Sequence, residues 1–417
     1  MILSCSSPGL DRPTMTDLTD YAHYLTPNYG VPPILMTEGQ GCRLTDQANR
    51  QYLDLAGGIA VSALGHCHPE LINALTTQAH KVWHLSNTLA NEPAIQLAEA
   101  LVKSTFADRV FFCNSGAEAN EAAIKAARRA AYDQAGDEKH EILCFENAFH
   151  GRTIATVTAG GQPKYRQGFG PMPEGFRHLP YNDCNALLAA VSEKTCAIMV
   201  EPIQGEGGVR PICPTFFEKI RSACDRVGAA LIVDEVQTGM GRTGHLFAYE
   251  ASGVTPDILT SAKSLGCGFP IGAMLCTESI AKHLVPGTHG STYGGNPLGT
   301  AVALKALSII NNESFLDNVR SLSERFISEL KRLNDAHGLF ETIRGRGLLV
   351  GGVLRERWAG KAPDLVSLGH EEGLLTLVAG PNVQRFAPPL IITETEIDEA
   401  LEKLDRVYTR FTQTVAT

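Results

Sequence analysis

The sequence lacks several features that mark whole classes of protein. Its 417 residues contain no apolar run long enough to span a bilayer, and residues 1–13 lack the basic start and long apolar core of an export signal. Acidic residues outnumber basic ones by 45 to 36, and the net charge of −9 leaves no broad positive field for nucleic acid. Membrane insertion, export and nucleic-acid binding are therefore not expected.

Closely spaced cysteines are also missing. The nearest two of the 11, Cys267 and Cys276, are separated too widely for a Cys-x-x-Cys metal motif, and an odd number does not suit a disulfide framework. Reduced thiols in the cytoplasm are the expectation, and no metal site is predicted. With 44% hydrophobic and 19% charged residues the composition is that of a globular protein, and the length predicts a large domain with a smaller one.

Apolar runs of strand length alternate with helix-period segments through the middle of the chain, which predicts an α/β fold with a largely parallel sheet. The predicted strands are 110–113, 142–145, 154–158, 197–200, 229–233 and 271–276. A helix is predicted over 91–103, because Pro93 falls in its first turn and apolar residues follow at helical spacing.

The pattern changes after about residue 300. Amphipathic helices are predicted around 319–333 and 397–411, and short strands around 348–354 and 374–378 lie between them. A capping box of Thr393 and Glu396 begins the last helix. These elements indicate a small α+β domain.

A carboxylate follows the buried strand 229–233. Asp234 is its first polar residue, and sites in α/β sheets collect at the carboxyl ends of strands. An acid here could bind a metal, act as a base, hold a cation, or simply cap a turn. Glu235 should point to the opposite face, since adjacent residues of an extended chain do so. One carboxylate at the site is therefore expected.

A lysine among small residues follows the next apolar run. Burial of Lys263 would disfavour its charged form and lower its pKa, as an amine nucleophile requires; the alternative is a lysine that reaches solvent. The glycines after it, Gly266, Gly268 and Gly272, resemble a dinucleotide fingerprint, but with one residue too many. Cys267 lies among them, and it would be strained at a position that needs positive φ.

The stretch from Val110 to Glu121 passes from a strand through Asn114, Ser115 and Gly116 into an Ala-rich helix. Free N–H groups and the dipole at such a helix start favour a phosphate, although a simple cap explains the same residues. An anion cradle, a strand-end acid and a buried amine together are what a pyridoxal phosphate site needs.

With these motifs in place, the chain resembles the class III (subgroup II) pyridoxal-phosphate aminotransferases from about Tyr29 to the last helix. The motifs that carry the resemblance are 57–69, 114–121, 147–153, 201–208, 234–239, Lys263 and 289–297. The resemblance implies fold type I, the aspartate-aminotransferase type. Its large domain is placed at 60–305 and its small domain at 15–59 and 306–417, with 1–14 as a disordered extension.

The resemblance also implies roles for individual residues. Lys263 would be the Schiff-base lysine and proton shuttle, and Asp234 the partner of the ring nitrogen. Further cofactor contacts would come from Ser115, Gly116 and Ala117 at the phosphate, Phe149 and Val236 on the two ring faces, Gln237 at the ring hydroxyl, and Thr292 of a second subunit. The role of Thr292 in a second subunit implies a homodimer with composite sites.

Substrate recognition is implied in the same way. Arg152 and Arg385 match the two carboxylate-binding arginines, and guanidinium groups suit paired contacts with carboxylates. Glu206 matches the acid that pairs with Arg385 when no α-carboxylate is bound, and Tyr29 an aromatic residue that contacts substrate.

Within the family, the acetylornithine and succinylornithine enzymes are most similar. The implied reaction moves the terminal amine of N2-acetyl-L-ornithine to 2-oxoglutarate, giving N-acetyl-L-glutamate 5-semialdehyde and L-glutamate, as in arginine biosynthesis. Succinylornithine, succinyl-diaminopimelate, ornithine and 4-aminobutyrate aminotransferases, and glutamate-1-semialdehyde aminomutase, are the alternatives within the fold. A non-catalytic binding protein and a nicotinamide dehydrogenase are the alternatives outside it.

Three other conspicuous features have plainer interpretations. His66 and His68 lack a nearby third ligand, so loop packing or capping is expected there rather than metal binding. His150 is expected to orient Phe149 and Arg152. The segment from Arg344 to Gly347 is expected to form a turn of the small domain, with a role in placing Arg385 left open.

Overall fold

A computed structural model describes residues 17–415 of the chain, and the predicted extension at 1–14 lies outside the described residues. The helices are α1 (Leu18–Tyr24), α2 (Gly57–Ala60), α3 (Pro69–Ala79), α4 (Glu92–Lys103), α5 (Gly116–Ala135), α6 (Ile154–Ala159), α7 (Cys184–Ala190), α8 (Pro214–Val227), α9 (Glu278–Ala281), α10 (Pro297–Ile310), α11 (Glu313–His337), α12 (Ala362–Glu371) and α13 (Glu394–Val415). Among residues 17–415, no helix is both long and apolar enough to cross a membrane.

The strands follow the order β1 (Met36–Gln40), β2 (Arg43–Asp46), β3 (Gln51–Asp54), β4 (Arg109–Cys113), β5 (Glu141–Phe145), β6 (Phe176–Leu179), β7 (Thr195–Val200), β8 (Ile203–Gln204), β9 (Arg210–Pro211), β10 (Ala230–Asp234), β11 (Ile258–Ser261), β12 (Gly272–Cys276), β13 (Phe340–Arg346), β14 (Leu349–Leu354), β15 (Leu374–Leu375), β16 (Leu377–Val378) and β17 (Val383–Phe386). Short 3₁₀ turns include Pro163–Tyr165 and Lys263–Leu265.

The central sheet has seven strands in the order β4-β12-β11-β10-β7-β5-β6. Strand β12 runs antiparallel to β11 and β4, and the other neighbours pair in parallel. Strands β7, β10, β11 and β12 are buried along their whole length, which explains their continuous apolar sequence. The predicted α/β architecture with a mostly parallel sheet is therefore confirmed.

Helix α5 covers one face of this sheet with a row of alanines, including Ala119, Ala123 and Ala127, all buried. Small side chains let a helix axis approach the sheet closely. Because α5 begins three residues after β4 ends, its N-terminus lies at the end of the sheet where the parallel strands also end.

Both ends of the chain contribute to a second, four-stranded sheet in the order β1-β2-β3-β15. Strand β15, from late in the sequence, pairs in parallel with β3 through Leu374 and Leu53. A third sheet, β13-β14-β17-β16, carries Arg385 on β17. The assignment of domains at 15–59, 60–305 and 306–417 stays a prediction.

One strand prediction is wrong. Residues 154–158 form most of helix α6, not a strand, and Thr158 Oγ1 donates to the carbonyl of Ile154 at 2.6 Å within that helix. The β-branched residues favoured a strand, but packing of Thr156, Val157 and Ala159 in the interior overrides that propensity. Strand β6, with its two polar residues Arg177 and His178, was not predicted.

The predicted capping box of the last helix and the predicted loop packing of His66 are both present. The capping box is present, since Glu396 N donates to Thr393 Oγ1 at 3.2 Å and Thr393 N donates to Glu396 Oε2 at 2.9 Å. His66 packs in a loop with its Nε2 at 2.8 Å from Asp54 Oδ2. Within the described part of the chain, no group of three or more His, Cys, Asp and Glu side chains could hold a metal ion.

Candidate active site

The loops that follow β4, β5, β7, β10 and β11 meet at one edge of the central sheet, because these strands run in the same direction. They enclose a cavity of about 390 Å³, hereafter the central cavity. Its lining includes nine of the residues predicted to bind cofactor or substrate: Ser115, Gly116, Ala117, Phe149, Arg152, Asp234, Val236, Gln237 and Lys263.

Asp234 ends β10 and is only 4% exposed. Its Oδ2 accepts from Asn120 Nδ2 at 2.8 Å and lies 2.7 Å from His150 Nδ1, while its Oδ1 accepts from Val236 N at 3.0 Å. Burial lowers the pKa of His150, but the hydrogen bond and charge of Asp234 outweigh it, and the pKa ends above its usual value. The carboxylate is thus held in one orientation and faces a basic imidazole.

The interpretation of His150 was therefore incomplete. It was expected to orient Phe149 and Arg152, but its ring contacts Asp234, and its carbonyl accepts from Asn120 Nδ2 at 2.7 Å. Sequence reasoning also missed Asn120, which lies one helical turn after Gly116 on the buried face of α5. Its position one helical turn after Gly116 was the feature of the sequence that could have identified Asn120.

Glu235 points away from the central cavity, as predicted. Its Oε1 accepts from Tyr249 N at 2.8 Å, and its other oxygen accepts from the Thr238 hydroxyl. Burial raises the pKa of Glu235 to about 7. The two adjacent carboxylates therefore occupy separate environments, and only Asp234 lines the cavity.

Glu201, directly after β7, is a further buried acid that the sequence analysis did not assign. Its carboxylate accepts from Phe149 N at 2.9 Å and Gly205 N at 3.4 Å. Burial raises the pKa of Glu201 to about 8, with a further contribution from the charge of Asp234. Glu201 thus fixes the backbone of the loop that presents Phe149 to the cavity.

Lys263 begins the 3₁₀ turn after β11, and its backbone has φ of +44°. Burial lowers the pKa of its amine to about 8, and the charge of Arg385 acts in the same direction. Part of the amine population is therefore neutral near neutral pH and can act as a nucleophile.

Cys267 also has positive φ, +46°, which is the strained case anticipated from the sequence. Its N–H donates to the carbonyl of Lys263 at 3.2 Å, and its thiol to that of Ser264 at 3.1 Å. The strained residue thus closes the turn that presents Lys263.

The start of α5, where the sequence predicts an anion cradle, opens at the central cavity. Ser115 is the N-cap, and its Oγ accepts from Glu118 N at 3.2 Å, so the first N–H groups of the helix face the cavity edge. Gly116 is required by close approach, since a Cβ there would lie 2.8 Å from Cγ1 of Val236. Ala117 follows in the first turn and lines the cavity.

Buried Arg385 and half-buried Glu206 form an ion pair beside Lys263, with Nη1 and Oε1 at 2.5 Å. Gln237 bridges them: its Oε1 accepts from Arg385 Nη1 at 3.1 Å, and its Nε2 donates to Glu206 at 3.3 Å. Burial alone would raise the pKa of Glu206, but the charge and hydrogen bond of Arg385 and the charge of Lys263 lower it below its usual value. The pair predicted from the resemblance is present.

Three predicted residues lie at the rim or outside. Arg152 is exposed at the cavity mouth, with its guanidinium carbon 3.8 Å from the ring centre of Tyr165. Thr292 is exposed, Tyr29 is 72% exposed, and neither lines the central cavity. Arg344 lies at the end of β13, and its Nη2 donates to the carbonyl of Gly208 at 2.7 Å instead of contacting Arg385.

A strand-end acid, a buried amine and a helix N-terminus around one cavity suit a cofactor that carries a phosphate, a basic ring nitrogen and an aldehyde. The family model "Aminotransferase class-III" matches residues 24–408, and the chain belongs to that family. Its enzymes are pyridoxal-phosphate-dependent aminotransferases, and so is this one. The dehydrogenase and the non-catalytic binding protein considered above do not apply.

Several similar proteins are named as acetylornithine or succinylornithine aminotransferases. An acetylornithine aminotransferase of Pseudomonas putida is 54% identical over 94% of this chain and 97% of its own length. A Pseudomonas aeruginosa protein named succinylornithine transaminase/acetylornithine aminotransferase is 56% identical over 93% and 95%. The crystal structure of N-acetylornithine aminotransferase from Stenotrophomonas maltophilia superposes with a TM-score of 0.84 at 41% identity, covering 95% of this chain and 99% of that one.

Proposed function

We propose that the enzyme transfers the terminal amine of N2-acetyl-L-ornithine to 2-oxoglutarate, giving N-acetyl-L-glutamate 5-semialdehyde and L-glutamate. The observation that carries this proposal is the Arg385–Glu206 pair beside Lys263, together with a second arginine, Arg152, at the cavity mouth. The names of the relatives from P. putida and S. maltophilia support the choice of donor.

The residues of the central cavity fit pyridoxal phosphate. The N-terminus of α5, with Ser115, Gly116 and Ala117, would hold the phosphate, and Asp234 would pair with the ring nitrogen. Phe149 and Val236 would contact the two ring faces, with Gln237 at the ring hydroxyl. When bound, the cofactor supplies an electron-poor ring that stabilises negative charge on the substrate carbon carrying the amine.

Lys263 would move the proton. Its neutral Nζ would accept a proton from the substrate carbon that carries the amine and would then donate that proton to the carbon that receives the amine. Asp234, fixed by Asn120 and His150, would keep the ring nitrogen protonated by charge pairing. Asp234 is held by its buried neighbours Asn120 and His150, so its carboxylate would need little rearrangement before the reaction.

Arg385 and Arg152 would bind the carboxylates of the two substrates. In the donor half-reaction Glu206 would neutralise Arg385, and Arg152 would bind the α-carboxylate at the far end of acetylornithine. In the acceptor half-reaction 2-oxoglutarate carries two carboxylates, and its α-carboxylate would displace Glu206 from Arg385. Tyr29 would join the donor site only after moving from its exposed position.

A donor panel tests this function. Values of kcat/KM are measured for acetylornithine, ornithine, 4-aminobutyrate and succinyl-diaminopimelate, with 2-oxoglutarate as acceptor. We expect acetylornithine to be used at least about tenfold better than ornithine or 4-aminobutyrate, which corresponds to about 1.4 kcal/mol. A preference for either of those two donors would contradict the proposal.

We also propose a homodimer with composite sites. Asn114 Nδ2 donates to Ser291 Oγ at 3.2 Å, which fixes the loop next to Thr292, yet Thr292 is exposed and does not line the central cavity of its own chain. Large apolar side chains near this loop, Trp83, Leu89 and Tyr293, are each more than half exposed, as expected of a surface that another subunit covers. Thr292 of each subunit would then reach the phosphate in the other.

Subunit mixing tests the composite site. A hybrid of one Lys263→Ala subunit and one Thr292→Ala subunit would contain one site with both residues intact. We expect co-refolded mixtures to be more active than either variant alone. If Thr292 served its own subunit, no hybrid site would be intact, and mixing would restore nothing.

The cytoplasm is the compartment that we propose for this enzyme. All ten cysteines of the described residues are free thiols, and a reducing compartment keeps thiols in that state.

A further inference from the structure

A second cavity, of about 560 Å³, adjoins the Arg385–Glu206 pair. Its lining includes three cationic residues, Lys164, Arg210 and Arg344, and one acidic residue, Glu206. We call it the basic pocket. The cationic residues come from three separate elements: the 3₁₀ turn Pro163–Tyr165, β9 and β13.

The positive charge of this pocket is not neutralised by the protein. Over residues 17–415, no carboxylate forms an ion pair with Lys164, Arg210 or Arg344, whereas Glu206 is already paired with Arg385. Arg344 donates to the carbonyl of Gly208 from Nε at 3.1 Å and from Nη2 at 2.7 Å. Burial lowers the pKa of Arg344, and repulsion from Arg210 adds to the effect. An anion in the pocket would relieve that repulsion.

The basic pocket lies beside the central cavity. The ring centre of Tyr165 lies 3.8 Å from the guanidinium carbon of Arg152 and 4.8 Å from Nζ of Lys164. On the other side Gln237, which lines the central cavity, donates to Glu206, which lines the basic pocket. Arg152 and Lys164 contact the same aromatic ring, so a substrate whose α-carboxylate is held by Arg152 would have its α-nitrogen substituent close to Lys164.

We propose that the basic pocket binds the free carboxylate of a dicarboxylic acyl group on the α-nitrogen of the donor, with Lys164 as the residue that distinguishes succinyl from acetyl. This inference rests on the proposed function, because it needs the donor's terminal amine at Lys263 and its α-carboxylate at Arg152. A succinyl group is longer than acetyl by one methylene and one carboxylate, and only the succinyl group carries a charge to pair with Lys164.

Lys164 is the best position to substitute. Lys164 is exposed, and its side chain contacts the neighbouring ring of Tyr165, so the fold should tolerate its replacement. We would measure kcat/KM for N2-succinylornithine and N2-acetylornithine in the wild type, Lys164→Gln and Lys164→Arg. Lys331→Gln, an exposed lysine on α11, is the matched control.

We expect the ratio of succinyl to acetyl efficiency to fall about tenfold in Lys164→Gln, through KM rather than kcat, as for loss of one charge-assisted contact. Lys164→Arg should restore the ratio, and Lys331→Gln should leave it unchanged. An unchanged ratio in Lys164→Gln, or an equal loss for both donors, would overturn the inference.

Binding without turnover separates this inference from the proposed function. The Kd of each donor is measured by calorimetry in Lys263→Ala and in Lys263→Ala/Lys164→Gln, both loaded with pyridoxal phosphate. We expect the second substitution to weaken the binding of succinylornithine about tenfold more than that of acetylornithine. Equal changes would overturn the pocket assignment. Absence of turnover in the wild type would instead overturn the proposed function.

Discussion

Replacement of Glu206 by glutamine should leave Arg385 free at all times to bind a substrate carboxylate. In the resting enzyme Glu206 lies 2.5 Å from Arg385, whose side chain is only 2% exposed. Glutamine keeps the size of the side chain and its contact with Gln237, but it removes the charge. Arg385 would then meet an incoming α-carboxylate without a competing anion.

The size of the effect follows from the bond that is lost. A hydrogen bond between charged groups contributes about 1.5–3 kcal/mol, and each 1.4 kcal/mol is a tenfold change in affinity. We expect glutamate and 2-oxoglutarate to bind about 10- to 100-fold more tightly in Glu206→Gln. Acetylornithine should react more slowly, because its aliphatic chain would face an unpaired guanidinium.

Separate half-reactions provide the assay. Stopped-flow absorbance of the cofactor is followed with glutamate alone and with acetylornithine alone, and the apparent Kd and limiting rate are extracted for each. Unchanged or weaker glutamate binding in Glu206→Gln, with the cofactor fully loaded, would refute the reasoning. Far-ultraviolet circular dichroism confirms that the variant is folded, which matters because an unpaired buried arginine destabilises a fold.

Three further predictions test other parts of the site. Asp234→Asn should lower kcat by about two orders of magnitude, as for loss of a buried electrostatic group. Glu235→Gln at the adjacent position should keep most activity, since Glu235 points away from the cavity. Equal losses of kcat for the two variants in steady-state assays would contradict this prediction. The Lys263 amine has a pKa lowered to about 8, and it must be neutral to form a bond with an aldehyde. The rate at which the apoprotein binds pyridoxal phosphate should therefore rise with pH and level off above about pH 8. A rate that still rises steeply beyond pH 10 would contradict the lowered pKa. Cys267 has φ of +46°, a conformation that strains a residue with a side chain. Cys267→Gly should change the free energy of unfolding by less than about 1 kcal/mol, since relief of strain offsets the added chain entropy, whereas Cys267→Val should destabilise the protein by about 1–2 kcal/mol. The same loss for both variants in thermal melts would refute the strain argument.

The sequence was sufficient for the features that depend on local pattern. Strands such as β10, buried on both faces, have continuous apolar sequence, and strand-end positions identified Asp234 and the turn before α5. The lowered pKa of Lys263 followed from a charged group flanked by small residues after a buried strand. These inferences needed only periodicity and the cost of burying charge.

The remainder depends on contacts between distant segments. His150 and Asn120 both bond Asp234 although they lie 84 and 114 positions away along the chain, and no local pattern indicates such pairs. Helix α6 was mistaken for a strand because its β-branched residues favour extended structure unless tertiary packing decides otherwise. The cationic residues of the basic pocket likewise come from three separated segments, so the overall charge of −9 did not reveal them.

A single-turnover experiment tests the central claim most directly. Protein loaded with pyridoxal phosphate is mixed with excess N2-acetylornithine and no acceptor, and the semialdehyde released per chain is measured, before 2-oxoglutarate is added. We predict about one equivalent of N-acetylglutamate 5-semialdehyde per chain, then glutamate after the acceptor is added, and neither product from Lys263→Ala. Semialdehyde that appears only once 2-oxoglutarate is present, or that Lys263→Ala releases at the wild-type rate, would contradict the account.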